Sequence, residues 1–442
     1  MKTKSLVLFA ALCMPASSQT EPVLPLSLKR AVAIAAAPEG NTRIQLAREY
    51  IRQAESRSAQ ARAALLPNID GSVSFQNVTR NLEAYGLGLS IPNLGFSIPT
   101  FVGPYGIFDA RATLGQNVLD ASAIRRFQAS KAGIRTAEAD SDSAKDQVSS
   151  LVAKFYLAAL RAEARVEAAK ANLNLSETLL KLAQNQKAAG TATGIDETRA
   201  RVQLANDQQR LLVAENERTQ SHLQLLRAMD LRLETKIQLT DKLEFKPAGE
   251  ANVEKALAVA RQSRSDWKAQ IQREDGARLN YSATKLERLP SLAGFADYGP
   301  IGTGFDNMRP TRTIGFNVKV PIFDGGRRDA RRTESLSQFR QEQIKKTDLE
   351  RQIELEIRLA TDNMRSAEEE VKVAEEGLTL SGQEMEQARR RFENGIVSSV
   401  EVTEAQTRVE RARDNRIAAL FLYNQARIDL LQAMGTIRTA LD

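Results

Sequence analysis

Apolar positions recur along this chain at helical spacing over very long stretches, and the spacing switches to period two in two places. Ile44, Ala47, Ile51, Ala54, Ala61 and Leu65 form one stripe, which predicts a helix capped by Asn41 and closed at Leu66-Pro67. A shorter helix, Leu26 to Ala37 with Ser27 as its N-cap, precedes it and ends at Pro38-Glu39-Gly40. Ile69, Gly71, Val73 and Phe75 then alternate with polar residues, and Phe108, Ala110, Ala112 and Leu114 do so again. Two strands are predicted there. Between them, Tyr85 to Tyr105 is rich in Gly, Pro, Phe and Tyr without a helical period, which reads as a long loop or a strand extension.

A helix starting at Asp120 is predicted to run to about Ala189. At about 1.5 Å per residue it is about 100 Å long. A helix of that length must pack against neighbours along its course. Two short segments turn such helices back: 187–196, KAAGTATGID, and 393–401, ENGIVSSVE. In each, a glycine, Gly190 or Gly395, ends the incoming helix in a position suited to the left-handed conformation. A Thr or Ser three residues later starts the outgoing one, and Thr193 with Asp196 and Ser398 with Glu401 have capping-box spacing. Both segments therefore read as helix-hairpin hinges.

The two glycines lie 205 residues apart, and the same offset places Ala200 on Ala405 and Leu225-Leu226-Arg227-Ala228-Met229 on Leu430-Leu431-Gln432-Ala433-Met434. Such matches point to an internal duplication. The second half repeats the order: a helix over Val253–Arg288, strands over Leu292–Tyr298 and Thr313–Val320, then a long helix to Asn394 and a return from about Ser399. The resulting division is 1–18 signal peptide, 19–66 N-terminal helices, 67–119 first strand pair, 120–230 first hairpin and 231–251 polar linker. In the second repeat, 252–289 is a helix, 290–323 the second strand pair and 324–442 the second hairpin.

Composition agrees with an elongated helical protein, since only 5% of the 442 residues are aromatic while 26% are charged. Lys2 and Lys4, an apolar run from Ser5 to Met14 and then Pro15-Ala16-Ser17-Ser18 form a secretory signal peptide, cut after Ser18. Cys13, the only cysteine, lies within it, so the mature chain is expected to hold no disulfide and no thiol chemistry. No stretch approaches twenty apolar residues, which excludes a helical membrane span and leaves a β-barrel open. The formal charge of +7 is spread along the helices without a basic block, which disfavours a nucleic-acid binder.

Four strands per chain are too few to close a barrel, and an open sheet cannot sit in lipid with its edges unpaired. Three chains supply twelve strands, an even number within the range of known barrels. The competing reading of the helix pattern alone is a long coiled coil, a periplasmic scaffold or adaptor without a barrel. The strand pairs at matching places in both repeats count against it.

With these features the chain resembles the outer membrane efflux proteins, the TolC-like channel family of Gram-negative bacteria. The resemblance rests on the two-fold repeat, the Leu66-Pro67-Asn68 and Leu289-Pro290-Ser291 junctions, Pro321-Ile322-Phe323-Asp324-Gly325-Gly326 before the second long helix, the two hinges and the Leu-Leu-x-Ala-Met endings. It implies a mostly α fold of long helical hairpins forming an α-barrel tunnel, with four strands per chain completing a trimeric twelve-stranded outer-membrane β-barrel. It also implies a homotrimer in outer-membrane lipid, working with a periplasmic adaptor protein and an inner-membrane transporter, with no cofactor and no enzymatic activity.

In that family, acidic residues on the outgoing helix of the second repeat narrow the tunnel near the tips, and Glu401 and Glu404 hold the matching places here. Rings of like carboxylates in a narrow pore attract cations. The capping spacing explains Glu401 equally well, and a solvated surface position would explain Glu404. Arg199 occupies the matching place in the first repeat. The family's closed tip is also tied by an Asp of the first hairpin reaching an Arg and a Tyr of the second. Asp196 matches the Asp, whereas Val397 and Phe392 stand where the Arg and Tyr would be. His222, the lone histidine, reads as packed or solvated. Phe75, Tyr85, Phe108, Phe295, Tyr298 and Phe316 are candidates for lipid-interface belts.

Overall fold

The computed structural model describes residues 23–86, 90–91, 96–97, 99–247 and 252–441. The predicted signal peptide, with Cys13, lies outside the described residues, as do parts of the Tyr85–Tyr105 segment and of the 231–251 linker. In chain order the elements are β1 (Leu24–Leu26), α1 (Leu28–Ala36), α2 (Thr42–Ala63), β2 (Asn68–Asn81), β3 (Ser90–Ile91), β4 (Phe96–Ser97), β5 (Phe101–Leu119), α3 (Ala121–Ala188) and α4 (Gly194–Ala228). There follow β6 (Ile237–Leu239), α5 (Val253–Ser263), α6 (Ser265–Leu286), β7 (Ser291–Gly302), β8 (Arg309–Lys319), α7 (Arg327–Glu393), α8 (Ser399–Ala433) and α9 (Ile437–Leu441). The described residues divide into two compact units, one drawn from within 43–145 and 257–356, the other from within 23–42, 146–256 and 357–441.

The first of these holds a four-stranded antiparallel sheet in the order β2-β5-β7-β8. Its centre is the β5–β7 pairing, where a strand of the first repeat meets one of the second. Paired residues share a face, so the register sorts side chains. Ile69↔Leu114, Phe75↔Phe108, Ala112↔Tyr298, Ala296↔Ile314, Gly294↔Phe316 and Leu292↔Val318 lie on one face, which is apolar. Asp70↔Thr113, Ser72↔Arg111, Thr113↔Asp297 and Asn317↔Ala293 lie on the other. On this polar face Arg111 pairs with Asp109 at 2.7 Å and, across the repeat seam, with Asp297 at 3.0 Å.

The apolar face is open: Val73 is 86% exposed and Ile314 and Phe316 are 74% exposed. Water alone would not sustain such a contiguous patch. Of the predicted belt aromatics, Phe75, Phe108, Tyr298 and Phe316 share this face. Phe295 does not, because it sits one residue out of phase with Ala296 and pairs with Gly315 on the polar side. Tyr85 lies in a turn of 3₁₀ helix, Glu83–Tyr85, rather than in a strand. Both are corrections to the aromatic assignment. Strands β2 and β5 also run farther than alternation predicts, to Asn81 and from Phe101, and absorb part of the expected loop.

In the same unit α6 is joined to α3 and α7 by ion pairs such as Arg273–Asp140 at 2.5 Å and Lys346–Glu274 at 2.9 Å, and Ser130 of α3 donates to Ser58 of α2 at 3.1 Å. Periodicity predicts one helix over Val253–Arg288, but Arg264 interrupts it in an extended conformation. Its side chain, 11% exposed, meets Asp266 at 2.7 Å and Glu356 at 2.6 Å. A charge-assisted fork of this kind offsets the loss of a few helical hydrogen bonds.

The second unit packs helices around Leu26, Leu225, Leu226, Met229, Tyr156, Tyr423 and Ile437, all fully buried or nearly so. Leu225, Leu226 and Met229 come from the repeated Leu-Leu-x-Ala-Met ending, so the duplicated motif is a core motif. Strands β1 and β6 pair in parallel here, Leu24 with Ile237 and Leu26 with Leu239. At three residues each they are too short to leave a periodic signal. The Tyr156 hydroxyl reaches the Leu26 carbonyl at 2.9 Å and Asp241 at 2.8 Å, and burial, then Asp241, pushes the phenol far above its ordinary value.

Candidate functional site at the hairpin tips

Both long helices end in the same way. Gly190 and Gly395 take φ of +74° and +71°. Behind them Thr191 N–H donates to the Gln186 carbonyl and Ile396 N–H to the Arg391 carbonyl, each at 2.9 Å. This six-to-one bond with a left-handed glycine is the Schellman ending, and it closes both long helices.

The outgoing helices start differently. In the first hairpin the capping box forms: Thr193 N–H donates to the Asp196 carboxylate at 3.0 Å and the reciprocal bond is present. In the second, Ser398 is extended at the N-cap position but its side chain caps nothing, and Glu401 turns away to Arg391 at 2.7 Å. The capping box expected at Ser398 and Glu401 is therefore absent. A guanidinium on the incoming helix competes successfully with a backbone N–H because a charge-assisted bond is the stronger one.

Asp196 does more than cap. Its second oxygen accepts from the Ser399 hydroxyl of the other hairpin. The Ser399 bond, then those from Thr193, hold its carboxyl below the usual carboxylate range. Gln186 makes a second tie between the hairpins, donating from Nε2 to the Phe392 carbonyl at 2.8 Å. Val397 and Phe392, which stand where an Arg–Tyr latch would be, belong to an apolar cluster with Leu179, Met385, Val402 and Val409. The polar tie has thus moved to Ser399 and Gln186. Neither is conspicuous in the sequence, because both are short or neutral polar residues among many.

Glu404 is the most exposed of the candidate acids, its side chain 62% accessible, with Arg408 at 3.8 Å. Arg408 itself is engaged more closely by Glu384 at 2.8 Å. The three candidates are thus not equivalent: Asp196 is used by the tip, Glu401 is neutralised by Arg391, and Glu404 faces water. His222 is partly buried with Nε2 3.3 Å from Glu163. Among the described residues no helix is long and apolar enough to cross a membrane.

A family model described as outer membrane efflux protein matches residues 33–230 and 256–436. The pyoverdine export outer membrane protein OpmQ of Pseudomonas aeruginosa is 25% identical over 403 residues, 87% of this chain and 80% of its own length. The CmeC outer membrane channel of Campylobacter jejuni superimposes with a TM-score of 0.78 at 18% identity, covering 92% of this chain and 85% of that one. VceC of Vibrio cholerae gives 0.78 at 16%, covering 92% and 96%. The two matched segments take in both repeats, with their strands, long helices and tips. The chain belongs to the outer membrane efflux protein family and is a channel-tunnel of the outer membrane, not an enzyme.

Proposed function

We propose that three copies of this chain form one passive conduit, which receives substrate from an inner-membrane pump through a periplasmic adaptor. The observation that carries the proposal is the sheet: four strands, one apolar face open to its surroundings, and both outer edges, β2 and β8, without a further strand among the described residues. Buried in hydrocarbon, each unpaired backbone group costs several kcal/mol, about, so closure by other copies is required. Residues 1–18 act as the export signal that brings the chain across the inner membrane.

At the periplasmic end, the hairpin tips form the entrance. Asp196–Ser399, Gln186–Phe392 and the apolar cluster around Phe392 hold the two hairpins of a chain together. Glu404 supplies the acidic ring, while Glu401, paired with Arg391, contributes less charge to the pore. Fractionation of envelopes followed by mildly denaturing electrophoresis tests the assembly. An outer-membrane species of three chains is expected; a soluble single chain favours a coiled-coil scaffold instead.

A further inference from the structure

Below the tip, three helices bury polar groups against one another. Ser176 of α3, Asp207 of α4 and Gln406 of α8 are each 1% exposed and Glu410 of α8 is 5% exposed. Ser176 Oγ donates to Asp207, Gln406 Nε2 donates to Ser176 Oγ at 2.6 Å, and Gln203 Nε2 reaches Asp207 at 3.2 Å and Glu410 at 3.1 Å. Arg210 is shared by both acids, at 3.3 Å from Asp207 and in contact with Glu410, and its side chain is 56% exposed.

Two buried carboxylates facing a single half-exposed cation are a poor way to stabilise a helix contact, since desolvation and mutual repulsion both oppose it. An apolar pair of similar size would hold α4 to α8 more firmly. What the arrangement does provide is a group that can change charge. Glu410 also borders a cavity of about 590 Å³ lined by Arg165, Asn172, Asn206, Arg210, Glu217 and Asp414, which gives water and protons a way in. The other charges around it are accounted for: Arg165 pairs with Glu217 at 2.7 Å, Arg413 donates to Asn172, and Asp414, one helical turn beyond Glu410 on α8, acts on Arg210.

We propose that Asp207, Glu410 and Arg210 form a proton-responsive clasp between α4 and α8, which tightens when Glu410 takes up a proton and loosens when it loses it. The clasp sets how readily the returning helix of the second hairpin leaves the first. That role rests on the reading of the hairpin tips as the entrance of the conduit. Burial, then Asp207, raises the Glu410 carboxyl above its ordinary value in spite of Arg210. A group raised in the packed state and ordinary in the separated state favours packing at low pH. That contribution is complete below the ordinary glutamate value and is lost as pH rises through the raised one.

The test is amide exchange on the assembled full-length protein between pH 4.5 and pH 8, expressed as protection so that the intrinsic rate cancels. In the unmodified chain, protection over residues 203–210 and 406–410 is expected to fall with rising pH, by roughly tenfold for each unit by which Glu410 is displaced. Glu410→Gln, neutral throughout, should be flat at the protected level. Asp207→Asn, which removes the repulsion and keeps Glu410, should move the transition toward acid. A flat profile in the unmodified protein overturns the clasp, as does an unaltered profile in Glu410→Gln. If Glu410→Gln fails to assemble, the direction of the Asp207→Asn displacement decides alone. Exchange does not depend on conduction, so a tip acid with no effect on current would count against the gate and leave the clasp standing.

Discussion

The two hairpin tips share a backbone and differ in what their side chains do. At the common offset Gly190 lies on Gly395, Lys187 on Phe392, Gln186 on Arg391 and Asp196 on Glu401. The glycine turns are superimposable in kind, with the same left-handed residue and the same six-to-one bond. Yet the first tip is a polar, self-capped turn whose acid reaches across to Ser399, while the second is built on a buried Phe392 with its acid tied to its own incoming helix. Duplication has conserved the turn, which only backbone geometry dictates, and released the side chains. One tip thereby became the holder and the other the held.

The sharpest way to break this comparison is to truncate equivalent positions. Phe392, 6% exposed in its apolar cluster, should cost about 3–5 kcal/mol on replacement by Ala. Its counterpart Lys187, half exposed and paired with Glu197 at 2.6 Å, should cost less than about 1 kcal/mol. Thermal melting of the two variants reads the difference, and equal costs would mean the tips are not specialised. Next in size are the hinge glycines. Open space surrounds both, so Gly190→Ala and Gly395→Ala should each lose only the left-handed preference, about 1–2 kcal/mol, and lose it equally.

Asp196→Ala should cost about 1 kcal/mol through the lost cap, and it should also free Ser399, raising single-channel open time in planar bilayers. Ser399→Ala should reproduce the open time without the cap cost. Because the Asp196 carboxyl is held low, its stabilisation is complete above the ordinary aspartate value and fades only as pH falls through the lowered one. The tie should therefore survive mild acid, opposite to the loosening expected at Glu410 on the alkaline side. Smallest in stability, and most telling for conduction, are the two glutamates. Glu404→Gln should weaken cation block more than Glu401→Gln, whose charge Arg391 already offsets. The reverse order would make Glu401 the main gate acid.

Much of the fold was legible because it is carried by long periods and by punctuation. Pro67, Pro290 and Pro321 close elements, Gly190 and Gly395 turn helices, and alternation marks the strands. What escaped was local competition. Nothing in the periodicity of residues 253–288 signals that Arg264 will leave the helix for Asp266 and Glu356. Aromatic composition alone points Phe295 toward lipid, whereas its phase, one residue from Ala296, puts it on the polar face. At the candidate site, spacing gave Ser398 and Glu401 a cap, since spacing cannot see Arg391 reaching over the turn. The cluster of Asp207, Gln406 and Glu410 was invisible because burial of charged residues on an alanine-rich helix follows from which three helices meet, and no single segment contains that information.

The central claim is that this sheet is completed by neighbouring copies, edge to edge. Cysteine pairs test it directly, one at Ser72 on β2 and the other in turn at Thr311, Thr313 or Asn317 on β8, in a chain whose only cysteine, Cys13, lies in the signal segment. Strand neighbours bring Cβ atoms to about 4–5.5 Å, close to what a disulfide needs. Oxidation in outer membranes is expected to link three chains covalently for at least one pair and to give nothing larger. Chains that stay single at every pair, or link without limit, would contradict a closed pore of three.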